Sequence, residues 1–173
     1  IFLLPFRNCK CDGERSLELL GPFHSSEEES EFQQALQGIE YIGGGRHVDP
    51  RCSGLEAIWY AMRILWYYRC EDSQERHLVR DGIIVLANSR TNPLGNNMEG
   101  SCLENTPVTF DELTKEWNSK IDSDIVDNGC WKMILLTPDE SGWRRISEEW
   151  YNTVHYPVIN SWSGLNDYDL DLL

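Results

Sequence analysis

The chain has 173 residues and a formal net charge of −14, from 29 Asp and Glu against 15 Lys and Arg. Nucleic acid is an unsuitable main partner for so acidic a chain, because phosphate groups are bound through clustered Lys and Arg. Hydrophobic residues make up 40% of the chain, so we expect a single folded domain over 1–173, acting as a monomer. No segment approaches the roughly 18 consecutive apolar residues of a membrane span.

The first part of the chain is predicted to form one short strand and one helix. The strand covers 16–20. Ser26 and Glu29 have the spacing of a capping box, which satisfies the first free N–H groups of a helix. The apolar residues that follow recur every three or four positions, and this period predicts a helix over 27–40.

The strongest helix signal covers 50–68, where large apolar residues lie on one broad face. Asp49 suits the N-cap position, and Pro50 suits the first helical position, where a missing N–H costs nothing. This start places Cys52 in the first turn of a helix that is largely buried.

The rest of the chain is predicted to contain one helix and four strands. Thr109 and Glu112 form another capping box, so the helix covers 110–120. The strands cover 83–86, 131–136, 143–146 and 154–162, and a hairpin turn at 138–142 joins the second to the third. These elements predict an α+β domain in which the 50–68 helix packs against a small, mainly antiparallel sheet.

Cys52 is the candidate nucleophile. A thiol in the first turn of a helix faces unpaired backbone N–H groups and the positive end of the helix dipole, and both favour the thiolate. Such a nucleophile also needs a base. Of the four histidines, His155 alone lies in an apolar strand that would hold its ring rigidly, and His47, in a glycine-rich approach to Cys52, is the reserve candidate.

Two segments carry a family resemblance. The segment 48–58, VDPRCSGLEAI, and the segment 154–159, VHYPVI, resemble the nucleophile and histidine segments of ovarian-tumour (OTU) type cysteine proteases. In that family an Asp lies three residues before the Cys that opens a long core helix, and an aromatic residue follows the His. The order of the segments is also similar to that of viral papain-like proteases. The resemblance implies a papain-like or OTU-like fold and a deubiquitinase-like thiol hydrolase or viral polyprotein protease.

The same resemblance implies roles for individual residues. Cys52 would attack a peptide or isopeptide bond, His155 would serve as base, and Asp49 would orient the imidazole. Pro157 stands where many family members carry the orienting Asp or Asn. Asn160 is therefore the alternative to Asp49.

The remaining expectations concern the substrate. Arg51 belongs to the loop expected to supply an oxyanion donor. Trp162 is a candidate for the substrate groove, together with Asn96 and Asn97 from a loop rich in Asn and Gly. The partner implied is ubiquitin, a ubiquitin-like modifier or a polyprotein junction, with no cofactor, in the cytoplasm of the cell or of a virus-infected host.

The six cysteines leave a second interpretation open. They would pair as three disulfides in a secreted, non-enzymatic effector or binding protein. The chain has no Asn-x-Ser/Thr glycosylation acceptor, and its length does not require disulfides, so free thiols in the cytoplasm are favoured. Cys9 and Cys11 form a weak zinc pattern without a second ligand pair nearby, so no metal is expected.

Overall fold

The computed structural model describes residues 1–7, 17–23, 28–39, 52–71, 81–94, 106–122 and 131–157. This part of the chain has a mixed α+β fold of four helices and one three-stranded sheet. In chain order the elements are α1 (Glu29–Gly38), α2 (Gly54–Glu71), β1 (Asp81–Leu86), α3 (Phe110–Asp122), β2 (Trp131–Thr137), α4 (Ser141–Glu149) and β3 (Thr153–Pro157).

The sheet is parallel throughout. Its strand order is β1-β2-β3, and the register aligns Val85 with Leu135 and Leu135 with His155. Parallel neighbours cannot be joined by a hairpin and need a crossover connection, usually helical. The connection from β1 to β2 contains α3, and that from β2 to β3 contains α4. Our prediction of a mainly antiparallel sheet is therefore wrong.

The physical reason lies in the segment after β2. We predicted a hairpin turn at 138–142 and a strand at 143–146, but Ser141–Glu149 is a helix. Trp143 and Ile146 are three residues apart and each is fully buried, and Trp150 follows four residues later on the same side. This spacing suits a helical turn better than the alternation of a strand. The helix carries the chain back across the sheet, so β3 runs parallel to β2.

The other predicted helices are present. The helix predicted at 27–40 is α1, the one at 50–68 is α2 and the one at 110–120 is α3. Helix α2 begins later than expected: its first residue is Gly54, and the N–H of Ala57 donates to the carbonyl of Ser53 at 3.0 Å. The expected cap and first helical residue, at 49 and 50, lie outside the described residues.

Helix α3 begins with the predicted capping box. The N–H of Glu112 donates to Thr109 Oγ1 at 3.2 Å, and the N–H of Thr109 donates to Glu112 Oε2 at 3.2 Å. The capping box expected before α1 is not described, because Ser26 lies outside the described residues. At the segment 16–20, the described residues make two isolated antiparallel bridges, Leu3 with Leu20 and Phe6 with Leu17, in place of a full strand.

One core lies on a single face of the sheet. On that face Ile83, Val85, Met133 and Leu135 are all buried. They form one cluster with residues of α2, α3 and α4, among them Met62, Leu113 and Ile146. Two crossovers that advance the sheet in one direction with the same hand place their helices on the same face, which accounts for the arrangement.

The opposite face of the sheet, here called the outward face, carries apolar side chains that are more exposed than those of the core-facing side. Ile84, Leu86 and Val154 point to this side and are 62%, 45% and 48% exposed. Parallel sheets in proteins are normally covered on both faces. On the same face Leu136 of the central strand is buried, so the exposed apolar residues named above lie on the two outer strands of the described sheet.

Membrane insertion finds no support in the described helices. Each of them is too short or too polar to cross a bilayer.

Candidate functional site

Cys52 lies beside the loop that follows β1. Its N–H donates to the carbonyl of Arg90 at 2.8 Å, and its carbonyl accepts from the N–H of Asn92 at 2.7 Å. These two bonds pair Cys52 with Thr91 in a short parallel bridge. Cys52 therefore precedes helix α2, which begins at Gly54, and does not lie in the first helical turn as we predicted.

The thiol of Cys52 is free and buried, with 7% of the residue exposed. Burial raises its pKa from 9.0 to about 11, because the anion loses its hydration. The hydroxyl of Ser89 and the backbone of Gly54 act in the opposite direction through hydrogen bonds, whereas the negative charge of Glu56 adds to the increase. We expected the start of the helix to favour a thiolate, but burial outweighs that effect.

Trp143 of α4 braces the surroundings of Cys52. Its indole Nε1 donates to the carbonyl of Ser89 at 2.9 Å. Its ring lies so close to Gly54 that a Cβ atom there would overlap it, and a Cβ atom at Gly142 would overlap the methyl group of Thr91. The starts of α2 and α4 and the loop after β1 therefore interlock around the cysteine.

His155 lies in the middle of β3, in register with Leu135. Side chains in register across a sheet share a face, so the imidazole lies on the core-facing side. Its Nε2 is 3.1 Å from both the hydroxyl and the carbonyl oxygen of Thr137, the fully buried last residue of β2. If Nε2 donates to the carbonyl, Nδ1 is the basic atom of the neutral ring, and if Nε2 accepts from the hydroxyl, Nδ1 carries the proton.

Among the described residues no hydrogen bond joins Cys52 and His155. Strand β2 lies between the strand that carries His155 and β1, whose following loop binds Cys52. Both side chains nevertheless lie towards the carboxyl side of the parallel sheet, the edge at which α/β proteins usually place their sites.

The other predicted site residues lie outside the described residues. They are Asp49, Arg51, Asn96, Asn97, Asn160 and Trp162, together with the reserve candidate His47. Their roles stay predictions. The same holds for Cys9 and Cys11.

Two polar residues that act on Cys52 were missed in the sequence. Ser89 follows the strand β1 by three residues, and the position of polar residues just after a buried strand was the available signal. Glu56 is buried, with 3% exposed. Ser53 and Glu56 have capping-box spacing at the observed start of α2, a signal obscured by the stronger Asp49-Pro50 pattern.

A separate polar depression of about 500 Å³ lies between α3 and α4. It is lined by Asp111, Thr114, Lys115, Asn118, Ser119 and Glu149. Arg145 already pairs there with Asp111 at 2.7 Å and with Glu149 at 2.5 Å. In the described ranges no group of three or more His, Cys, Asp and Glu is arranged to hold a metal ion.

Comparison with protein-family models, with curated protein sequences and with solved structures found no match to this chain. The described part of the chain has a mixed α+β fold built on a three-stranded parallel sheet. Its candidate site is a buried free cysteine between a loop and a helix start.

Proposed function

We propose that this protein is a thiol hydrolase that cleaves peptide or isopeptide bonds, with Cys52 as nucleophile and His155 as base. The observation that carries the proposal is the location of the two groups. A free thiol and an imidazole both lie on the carboxyl side of one parallel sheet. The resemblance of the segments 48–58 and 154–159 to OTU-type proteases supports the same pairing.

The reaction would follow the usual course of a cysteine hydrolase. Sγ of Cys52 forms a bond to the substrate carbonyl carbon, while Nδ1 of His155 accepts the thiol proton. The imidazolium then donates this proton to the leaving amine as the C–N bond breaks. Water hydrolyses the resulting thioester and restores the thiol.

The protonation state of the Cys52 thiol constrains this mechanism. With a pKa of about 11, Cys52 is protonated at neutral pH. It is also not hydrogen-bonded to His155 among the described residues. The proposal therefore requires that substrate binding bring the imidazole and the thiol together, so that proton transfer accompanies attack.

The substrate class follows from the resemblance alone. Ubiquitin or a ubiquitin-like modifier is the preferred substrate, and a polyprotein junction is the alternative. The net charge of −14 is complementary to a basic substrate tail. The cytoplasm is the matching compartment, since Cys52 must stay reduced.

The test is a covalent trap. The protein is incubated with ubiquitin that carries a C-terminal electrophile, and in parallel with a peptide chloromethyl ketone, and adducts are mapped by mass spectrometry. We expect one adduct on Cys52, absent in Cys52→Ala and strongly slowed in His155→Gln. The matched control is Cys70→Ser, from the last turn of α2, which should react like the wild type.

Two outcomes would overturn the proposal. One is a folded protein that forms no adduct with either probe. The other is labelling that persists in Cys52→Ala. A count of reactive thiols after unfolding distinguishes the hydrolase from a disulfide-bonded binding protein. The binding protein would have fewer than six reactive thiols, and Cys52 would be among the oxidised cysteines.

A further inference from the structure

Two oxygen atoms of Thr137 lie at one ring nitrogen of His155. The hydroxyl oxygen Oγ1 and the carbonyl oxygen of Thr137 are each 3.1 Å from Nε2 of the imidazole. Both distances are within the range of a hydrogen bond. A single residue therefore contacts the ring through its side chain and through its backbone.

The register of the sheet explains how the ring reaches Thr137. His155 is paired with Leu135, and Thr137 follows Leu135 by two positions in β2. Residues two apart in a strand point to the same face, so Thr137 and His155 share the core-facing side. The imidazole consequently leans toward the carboxyl end of β2, where Thr137 is the last residue.

Thr137 is a rigid support for the ring. It is fully buried, and it follows two residues of β2, Leu135 and Leu136, that are buried as well. A β-branched side chain also has restricted rotation about χ1. His155 is only partly buried, so the contact joins a fixed residue to a side chain that is accessible in part.

The hydroxyl of Thr137 needs a hydrogen-bond partner, because a buried hydroxyl without one destabilises the folded state. In the described part of the chain that partner is Nε2 of His155. A valine would fill almost the same space and carry no such requirement. Packing alone therefore does not account for a threonine at this position, whereas contact with the imidazole does.

The two oxygens of Thr137 favour one tautomer of the neutral ring. A carbonyl oxygen only accepts, whereas a hydroxyl can donate or accept. With the proton on Nε2, the ring N–H is shared between two accepting oxygens. With the proton on Nδ1, the hydroxyl can donate to Nε2, but the lone pair of Nε2 then faces those of the carbonyl oxygen. The first arrangement makes both contacts favourable.

We propose that Thr137 is the positioning residue of His155, whose two oxygens bind the Nε2 proton, hold the ring on the core-facing side and leave Nδ1 as the basic nitrogen. Among the described residues no hydrogen bond occupies Nδ1. Thr137 thus has the orienting role for which the family resemblance offers Asp49 or Asn160. The use of Nδ1 as a catalytic base rests on the proposed hydrolase function, but the tautomer and the ring position do not.

The experiment is nitrogen NMR spectroscopy of the folded protein with isotope-labelled histidine, at alkaline pH, where imidazole is neutral. Protonated and unprotonated ring nitrogens resonate at well-separated positions, so the spectrum identifies the tautomer. His155→Gln removes one set of signals and so assigns His155 among the four histidines. We expect a protonated Nε2 and an unprotonated Nδ1.

A substitution then tests the hydroxyl itself. Thr137→Val keeps the carbonyl contact and removes the hydroxyl, so the Nε2 proton should exchange with water faster by roughly 3- to 10-fold, the factor that one neutral hydrogen bond contributes. Thr137→Ser keeps the hydroxyl and should restore the wild-type rate. The matched control is Thr153→Val in β3, because the hydroxyl of Thr153 donates to the carbonyl of Tyr151 at 3.5 Å and not to the ring. It should leave the signals of His155 unchanged.

Two results would overturn the inference. One is a neutral ring with its proton on Nδ1, which the wild-type spectrum reveals even if Thr137→Val does not fold. The other is an exchange rate in folded Thr137→Val equal to that of the wild type.

The two proposals fail separately. A proton on Nε2 and faster exchange in Thr137→Val, without any adduct from the ubiquitin and peptide probes, would retain Thr137 as the positioning residue and overturn the hydrolase. An adduct on Cys52 that is slowed in His155→Gln, together with a proton on Nδ1, would retain the hydrolase and overturn the role of Thr137.

Discussion

The indole of Trp143 lies against the backbone of Gly54, so closely that a Cβ atom at position 54 would overlap the ring. This contact ties the start of α2 to α4. The same indole bonds the loop after β1 through the carbonyl of Ser89. Trp143, which is distant from Cys52 in sequence, therefore contacts both the start of α2 and the loop that pairs with Cys52.

Gly54→Ala should consequently destabilise the protein. Alanine improves helix propensity, by up to about 1 kcal/mol relative to glycine, but forcing a methyl group into the indole contact should cost about 1–3 kcal/mol or more. Urea unfolding monitored by circular dichroism measures the net change in the free energy of unfolding. The matched control is Gly38→Ala at the end of α1, where a Cβ atom meets nothing within 4 Å. Equal unfolding midpoints in the two variants would contradict the described packing.

The buried thiol of Cys52 should make stability fall at alkaline pH. Its pKa is higher in the folded protein, about 11, than the ordinary 9.0. The folded state therefore holds this proton more tightly than the unfolded state. The contribution to stability is complete below pH 9 and is lost as pH rises to 11, by about 3 kcal/mol.

The measurement compares wild type and Cys52→Ala, because other groups also titrate in this range. The free energy of unfolding should decline more steeply between pH 8 and 10.5 in the wild type, so that the difference between the two proteins narrows. Parallel declines would mean that the thiol is not buried as described.

The capping box at the start of α3 should contribute measurably to stability. Thr109→Ala removes the oxygen that accepts from the N–H of Glu112, and loss of such a cap typically costs about 1 kcal/mol. Ser119→Ala is the control, because its hydroxyl donates to the carbonyl of Glu116 within the same helix and caps no free N–H. A Thr109→Ala protein as stable as Ser119→Ala would argue against the cap.

Trp117 should be among the residues most sensitive to truncation. It is fully buried, its ring stacks on Trp150 with centroids 5.2 Å apart, and its Nε1 donates to the carbonyl of Tyr151 at 3.0 Å. Trp117→Ala should cost about 3–5 kcal/mol. Trp117→Phe retains the ring stacking and should cost markedly less, mainly the lost hydrogen bond, as read from thermal and urea unfolding. Similar losses of stability in both variants would show that the hydrogen bond of Trp117, rather than its packing, contributes most to stability.

The sequence alone determined where most elements lie. Apolar residues at helical spacing predicted α2, and Thr109 with Glu112 predicted the start of α3, because both signals arise from contacts within a few residues of each other. Runs of buried apolar residues located β1 and β2 for the same reason. Local patterns also selected Cys52 and His155 as candidates for nucleophile and base, and these roles stay proposals.

The tertiary structure decided how these elements are arranged. The short segment around Trp143 is compatible with a strand or a helix when read alone, and the helical choice is stabilised by burial of Trp143 and Ile146 against residues far away in sequence. Because this segment is a helix, it forms a crossover between β2 and β3, and β3 therefore runs parallel to β2. The protonation of Cys52 is likewise decided by burial, which depends on how α2, α4 and the loop after β1 pack together. Solvent exclusion is a property of the whole packed domain, so no local pattern of residues reports it.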